Sequence, residues 1–156
     1  VPFGHIRDQV KQIDSIPKIV EKPMVKSKQI PVNNDLDIVS ARVEGRNMAK
    51  MLGFGVIDRA RIATAISELA RNLILYTDGG HIALQVIEDK GRIGIQVVCT
   101  DEGPGIADIE LVMQDGYSSQ RGLGMGLPGT RRLMDEFEIE SELDIGTTVT
   151  VRKWLN

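Results

Sequence analysis

Cysteine, histidine and aromatic residues are all scarce in this sequence, and each scarcity excludes something. The 156 residues include one cysteine, two histidines and 4% aromatic residues. One cysteine cannot form an internal disulfide, which fits a reducing compartment and sets the expectation of a cytoplasmic protein. Cys99 closes the apolar run IQVVC, the setting of a core thiol rather than of a nucleophile. His5 and His81 lie far apart, with no cysteine or carboxylate at ligand spacing, which argues against a zinc site. No apolar run approaches the ~20 residues that cross a bilayer, and the start does not read as a signal peptide. Charge of neither sign dominates. The formal net charge is −3, and basic residues adjoin only at Arg131-Arg132 and Arg152-Lys153. That gives no footprint for nucleic-acid binding as the main activity.

What is present is enough for one core, and a single domain is expected. Residues 1–23 stand apart as an N-terminal extension. Ile6, Val10 and Ile13 have helical spacing, and Pro17 and Pro23 then interrupt. This segment is expected to be a tag, linker or docking arm dispensable for chemistry, with Met24 the natural start of a domain over 24–156. A strand over Val25 to Val32 leads to Asn33, Asn34 and Asp35, which offer helix caps. A helix from Leu36 to Leu52 follows, stopped by Gly53. Its apolar residues cover more than one stripe, so it is expected to be largely buried. Gly55 to Asp58 is expected to connect it to a second helix, Arg59 to Leu75, whose Ile62, Ile66, Leu69 and Leu73 form one stripe. Strands are expected over His81 to Glu88 and Arg92 to Thr100, turning at Asp89-Lys90-Gly91. A short helix over Ile106 to Gln114 and a flexible lid over Gly116 to Arg121 come next. The helix after Pro128, PGTRRLMDEF, directs Leu127 and Leu133 to the core. Two last strands, Glu138 to Leu143 and Thr147 to Trp154, complete the order. The pattern predicts an α+β fold, a two-layer sandwich with helices on one face of a mixed, mostly antiparallel sheet.

The chemistry concentrates between Asp101 and Leu127. The stretch opens as Asp101-x-Gly103-x-Gly105 and closes as Gly122-x-Gly124-x-Gly126. Glycines let the backbone approach a bulky anion, and a helix start just after them offers free N–H groups. Asp101 follows an apolar run, so its carboxylate is placed at a strand end to accept an exocyclic amine such as that of adenine. Glu68 and Asn72, four apart on the second helix, stack on a flank that adjoins the apolar stripe through Ala65. Each motif alone also matches an ordinary surface turn or a solvated helix flank; together and in order they point to a nucleotide site.

Taken together these residues resemble the GHKL ATPase superfamily, which includes gyrase-type ATPases, heat-shock chaperone ATPase domains and histidine kinases. Glu68-Leu-Ala-Arg-Asn72 resembles its N box, and Asp101-Glu-Gly103-Pro-Gly105 its first glycine box. Gly122-Leu-Gly124-Met-Gly126-Leu127 resembles the second, and Gly146-Thr147 the late glycine-threonine pair. SELARN, DEGPGIADI, DGYSSQRGLGMGLPG, RRLMDEF and the terminal KWL are similar to RsbT-type switch kinases of the bacterial stressosome. The similarity runs from about Lys28 to the C-terminus.

The resemblance implies a Bergerat-type fold and a serine/threonine kinase that uses ATP and Mg2+. It implies as partners STAS-domain proteins of the RsbS and RsbR kinds, and an RsbU-type PP2C phosphatase activated by partner switching. An anti-sigma factor that sequesters a sigma factor is the alternative it leaves open. By the same resemblance Glu68 is the general base, and Asn72 holds Mg2+. Asp101 accepts the adenine amine with help from Thr147. Gly103 and Gly105 let the chain pass under the base, Gly122, Gly124 and Gly126 present amides to the phosphates, and Ile106 and Leu127 complete the ATP-binding set. Arg121 is placed near a terminal phosphate by its neighbourhood. No phosphoacceptor-histidine domain is attached, and the chain is short for a gyrase-type transducer, so neither of those functions is expected.

Overall fold

A computed structural model describes residues 26–114 and 126–156. The expected N-terminal extension, the lid and the positions Arg121, Gly122 and Gly124 lie outside the described residues. Five strands and four helices follow in the order β1 (Ser27–Val32), α1 (Asp35–Leu52), α2 (Val56–Tyr76), β2 (Gly80–Asp89), β3 (Arg92–Asp101), α3 (Ile109–Val112), α4 (Gly126–Leu133), β4 (Glu136–Glu142) and β5 (Gly146–Trp154). The sheet order is β1-β2-β3-β5-β4. Each pairing among the described strands is antiparallel, so the parallel component expected of a mixed sheet is not seen there.

Alternation along the strands decides the layers. Ile82, Leu84 and Val86 on β2 sit opposite Cys99, Val97 and Ile95 on β3, and Val97 and Cys99 sit opposite Val151 and Val149 on β5. These residues are buried and cluster with Ile62, Ile66, Leu69 and Leu73 of α2. The intervening positions carry Gln85, Gln96 and Arg152, which bind one another and Glu136 and Glu138 across the outer face. The inner face is the one that clusters with the helices, so the helices occupy a single layer.

The start of α1 is fixed by a capping box. The Asn34 side chain accepts the Asp37 N–H at 3.1 Å, and Asp37 accepts the Asn34 N–H at 3.3 Å; such a cap contributes about 1 kcal/mol. The expectation that this helix is largely buried is wrong. Only Ala41, Gly45, Met48 and Ala49 are buried, while Leu36, Val39, Val43 and Met51 are exposed. Helix α1 packs on α2 and on β1 and β3 along one side, the side that carries Ala41, Gly45, Met48 and Ala49, and its other side faces away from the core. A methyl group at Gly45 would come within 2.1 Å of the Ile66 side chain, so that close approach depends on glycine. The expected connector Gly55 to Asp58 is also shorter than anticipated, because α2 begins at Val56 with Gly55 as its cap.

The helix after Pro128 ends at Leu133, and β4 begins at Glu136 rather than Glu138. Asp135 makes the switch: its N–H donates to the Arg152 carbonyl at 2.9 Å, and its carboxylate accepts the Trp154 N–H at 2.8 Å. These bonds to β5 outweigh the helical pattern of RRLMDEF. Lys153 is buried and fastens the same corner. Its Nζ donates to the Leu133 carbonyl at 3.0 Å and lies 3.5 Å from Asp135 and 3.8 Å from Asp58. The ends of α4 and α2 are thereby tied to β5, which sets where Gly126 and Leu127 fall. Leu127 and Leu133 pack against the core, as their spacing predicts.

Candidate functional site

Where the sheet's inner face ends, its side chains change character. The last apolar row is Cys99, Val149 and Ile139; the next row outward is Asp101, Thr147 and Ser141, directly opposite one another on β3, β5 and β4. This polar row bounds a cavity of about 330 Å3 between α2, the turn after β3 and the start of α4. Its size and mixed walls are those of a small-molecule site.

Helix α2 supplies one wall. Glu68 and Asn72 both line the cavity, as their four-residue spacing requires. Glu68 is 8% exposed, and the Arg71 guanidinium donates to its Oε1 at 3.3 Å, which fixes the carboxylate's direction. Arg71 itself lines the cavity. Thr77 ends α2, its hydroxyl donating to the Leu73 carbonyl at 2.6 Å and its oxygen accepting the Gly79 N–H at 2.9 Å.

The turn after β3 supplies the opposite wall. Asp101 Oδ1 accepts the Gly103 N–H at 2.8 Å, so half of the carboxylate holds its own turn. Among the described residues no hydrogen bond to Oδ2 is present. A methyl group at Gly103 would meet Thr77 Cγ2 at 2.9 Å; the absent side chain lets this turn pack on the end of α2. Gly105 has φ +78, and a methyl there would come within 2.4 Å of the Glu142 carbonyl oxygen. Two further bonds lock the turn to the β4–β5 corner: the Asp144 N–H to the Pro104 carbonyl at 2.9 Å, and the Ile106 N–H to Ser141 Oγ at 2.7 Å.

Of the residues singled out from the sequence, Glu68, Asn72, Asp101, Gly105, Ile106, Gly126, Leu127 and Thr147 all line this one cavity. Gly103 supports it from behind. Arg121, Gly122 and Gly124 lie outside the described residues. Sequence reasoning missed Arg71, Thr77 and Ser141. Arg71 sits inside the Glu68–Asn72 motif, so its three-residue spacing from Glu68 was the available signal.

The donor set suits Mg2+ better than a metal held by protein alone. Among the described residues no three histidine, cysteine or carboxylate side chains gather as a metal site. Oxygen-bearing side chains line the cavity, the Asn72 amide and the Glu68 and Asp101 carboxylates among them. Mg2+ is ordinarily held by one or two protein groups together with substrate phosphates and water. Burial pushes the Cys99 thiol well above the usual range, with the nearby Asp101 charge adding to it, so this cavity-wall sulfur is not a nucleophile. Among the described residues no helix is long and apolar enough to cross a membrane.

Comparison with known proteins follows the geometry. Residues 57–156 match the family described as histidine kinase-, DNA gyrase B- and HSP90-like ATPase. Over 126 residues the chain is 52% identical to the serine/threonine-protein kinase RsbT of Bacillus subtilis, covering 81% of this chain and 95% of that one. It is 31% identical over 129 residues to the anti-sigma F factor of Geobacillus stearothermophilus, 73% of this chain and 87% of that one. It is also 35% identical over 102 residues to the anti-sigma F factor of Thermoanaerobacter sp. strain X514, 62% and 70% respectively. Among solved structures, one of the RsbU and RsbW domains of a Mycobacterium tuberculosis protein aligns with a TM-score of 0.57 at 18% identity. It covers 85% of this chain and 34% of that longer one, a likeness of fold.

Proposed function

The chain belongs to the histidine kinase-, DNA gyrase B- and HSP90-like ATPase family, and from that premise we propose that it is an ATP-dependent serine/threonine protein kinase of a partner-switching pathway. The observation that carries the reading is the placing of Glu68, Asn72, Asp101 and Thr147 around one cavity. A chain 52% identical to RsbT across 95% of that kinase supports protein phosphorylation as the outcome. The proposed substrates are STAS-domain proteins of the RsbS and RsbR kinds, and the proposed downstream partner is an RsbU-type PP2C phosphatase. Residues 24–156 form the proposed kinase domain, and 1–23 an extension outside the chemistry.

In this reading Asp101 Oδ2 accepts the adenine amine, and Thr147 stands beside it. Gly103 and Gly105 bring the turn under the base, next to Ile106. Gly126 and Leu127, with Gly122, Gly124 and Arg121, receive the phosphates. ATP would supply the γ-phosphoryl group, and the Asn72 amide oxygen would hold in part a Mg2+ ion, whose chemistry there would be neutralisation of phosphate charge. Glu68 lies one helical turn from Asn72 and lines the same cavity, and in this reading it stands beside the γ-phosphoryl group. It would take the proton of the incoming serine or threonine hydroxyl as that oxygen bonds to the γ-phosphorus and the bond from the γ-phosphorus to the bridging oxygen breaks, releasing ADP. Arg71 holds the carboxylate in that direction. Phosphoryl transfer depends mostly on such positioning and charge neutralisation.

The anti-sigma F factors at 31 and 35% identity favour one second reading, in which the nucleotide-loaded chain sequesters a sigma factor. The two separate by partner. Immobilised chain with Mg2+-ATP is expected to retain a STAS-domain protein encoded beside it and to pass over sigma factors from the same genome. Retention of a sigma factor alone would replace the kinase reading with the second one.

A further inference from the structure

The two helices that wall the cavity are joined, at their ends remote from it, by one side chain. Lys153 pairs with Ile95 on the sheet and is 7% exposed. Its Nζ donates to the Leu133 carbonyl at 3.0 Å and lies 3.5 Å from Asp135 and 3.8 Å from Asp58. An ammonium has three protons and no lone pair, so three oxygens match it in number. Leu133 is the last residue of α4, where unpaired carbonyls and the negative end of a helix favour a cation. Asp58 lies in the first turn of α2. One buried charge therefore fastens the end of α4 to the beginning of α2.

The other parts of the same helices line the cavity, α2 through Glu68 and Asn72 and α4 through Gly126 and Leu127. The helices pack on one another, so their relative position sets the width between those walls. Helix α4 has eight residues, a lever of about 12 Å. It is braced along that length, because the buried Thr130 donates its hydroxyl proton to the Gly126 carbonyl at 3.0 Å. A shift at Leu133 is thus carried to Gly126. The base side of the cavity has its own supports. Asp101 and Thr147 are held by the β3–β5 pairing, and the turn beside them by the bonds of the Gly103 and Ile106 amides.

We propose that Lys153 is a positioning residue for phosphate binding: by pinning the end of α4 to the start of α2, it sets where Gly126 and Leu127 stand relative to Glu68 and Asn72, and so acts on the triphosphate and not on the base. The inference rests on the reading that this cavity takes ATP with its phosphates at the start of α4.

Lys153 also holds the fold together at this corner, so its loss will lower the melting temperature whatever its part in binding. The discriminating quantity is the response of two ligands, one with phosphates and one without. Dissociation constants of Mg2+-ATP, by calorimetry, and of adenosine, by ligand-detected NMR titration, would be measured for the full chain and for Lys153→Met. The ATP constant is expected to rise about tenfold, the scale of one charge-assisted hydrogen bond lost to the phosphates. The adenosine constant is expected to stay within about twofold, as for a distant and independent site. Asp58→Ala loosens the link to α2 and leaves the bond from Lys153 to α4 in place. It is expected to raise the ATP constant about threefold with adenosine unchanged, and it carries the test if Lys153→Met does not fold. Equal weakening of both ligands, or unchanged ATP affinity in the folded variants, would overturn the inference while leaving the nucleotide reading standing. Binding of neither ligand by wild type would remove the reading and the inference together.

Discussion

Asp101 and Thr147 face each other across the β3–β5 pair on the row where the apolar interior gives way to the cavity. One oxygen of Asp101 holds the Gly103 amide; among the described residues the other accepts no hydrogen bond. Asp101→Asn can keep the bond to Gly103 while presenting an NH2 group in place of the second oxygen. Nucleotide binding is expected to fall by about tenfold or more, since a donor then meets the base amine. The unliganded protein should change little in melting temperature. Titration calorimetry and thermal melting of the same sample check both halves.

Gly105 and Gly91 make a controlled pair. Both have a left-handed backbone, with φ +78 and +81, but a methyl at Gly105 meets the Glu142 oxygen at 2.4 Å while nothing lies within 4 Å of one at Gly91. Gly91→Ala is expected to cost about 1 kcal/mol, from backbone strain alone. Gly105→Ala adds a clash with main chain and is expected to cost about 2–4 kcal/mol. Urea unfolding of the two variants checks the order; equal costs would mean that the turn does not press on the β4–β5 corner.

Cys99 gives a pH dependence with a definite sign. Burial, assisted by the Asp101 charge, raises its thiol in the folded protein. The folded state therefore keeps a proton that the unfolded chain releases above about pH 8.5. The stability contribution is complete below that pH and is lost as pH rises. Between pH 8 and 10 the loss is expected to be about 1–2 kcal/mol. Other groups titrate there too, so the comparison is with Cys99→Val, where this component should vanish from the urea-unfolding curves.

Much of the site was legible in the sequence because its residues follow simple periods. Glu68 and Asn72 share a flank by the four-residue repeat of a helix, and Asp101 ends a strand that alternates cleanly. What was not legible depends on register or on competition between elements. Ser141 sits in the run EIESEL, where nothing marks it; only pairing opposite Thr147 gives it a role. The exposure of Leu36, Val39 and Val43 follows from which side of α1 meets α2 and the sheet, which no local pattern records. The early start of β4 comes from Asp135, whose bonds go to residues 17 and 19 positions away. Helical periodicity through RRLMDEF had no access to them.

The account turns on Glu68 acting as the base in phosphoryl transfer from a nucleotide bound beside it. The direct measurement is transfer of labelled γ-phosphate from ATP to a STAS-domain protein, with wild type and Glu68→Ala, and with ATP affinity determined on the same preparations. The wild-type chain is expected to label a serine or threonine of the partner in a Mg2+-dependent manner. Glu68→Ala is expected to bind ATP within about threefold of wild type yet transfer about a hundred- to ten-thousandfold more slowly. Transfer by Glu68→Ala at the wild-type rate would contradict the assignment, and no labelling by the wild type would contradict the kinase itself.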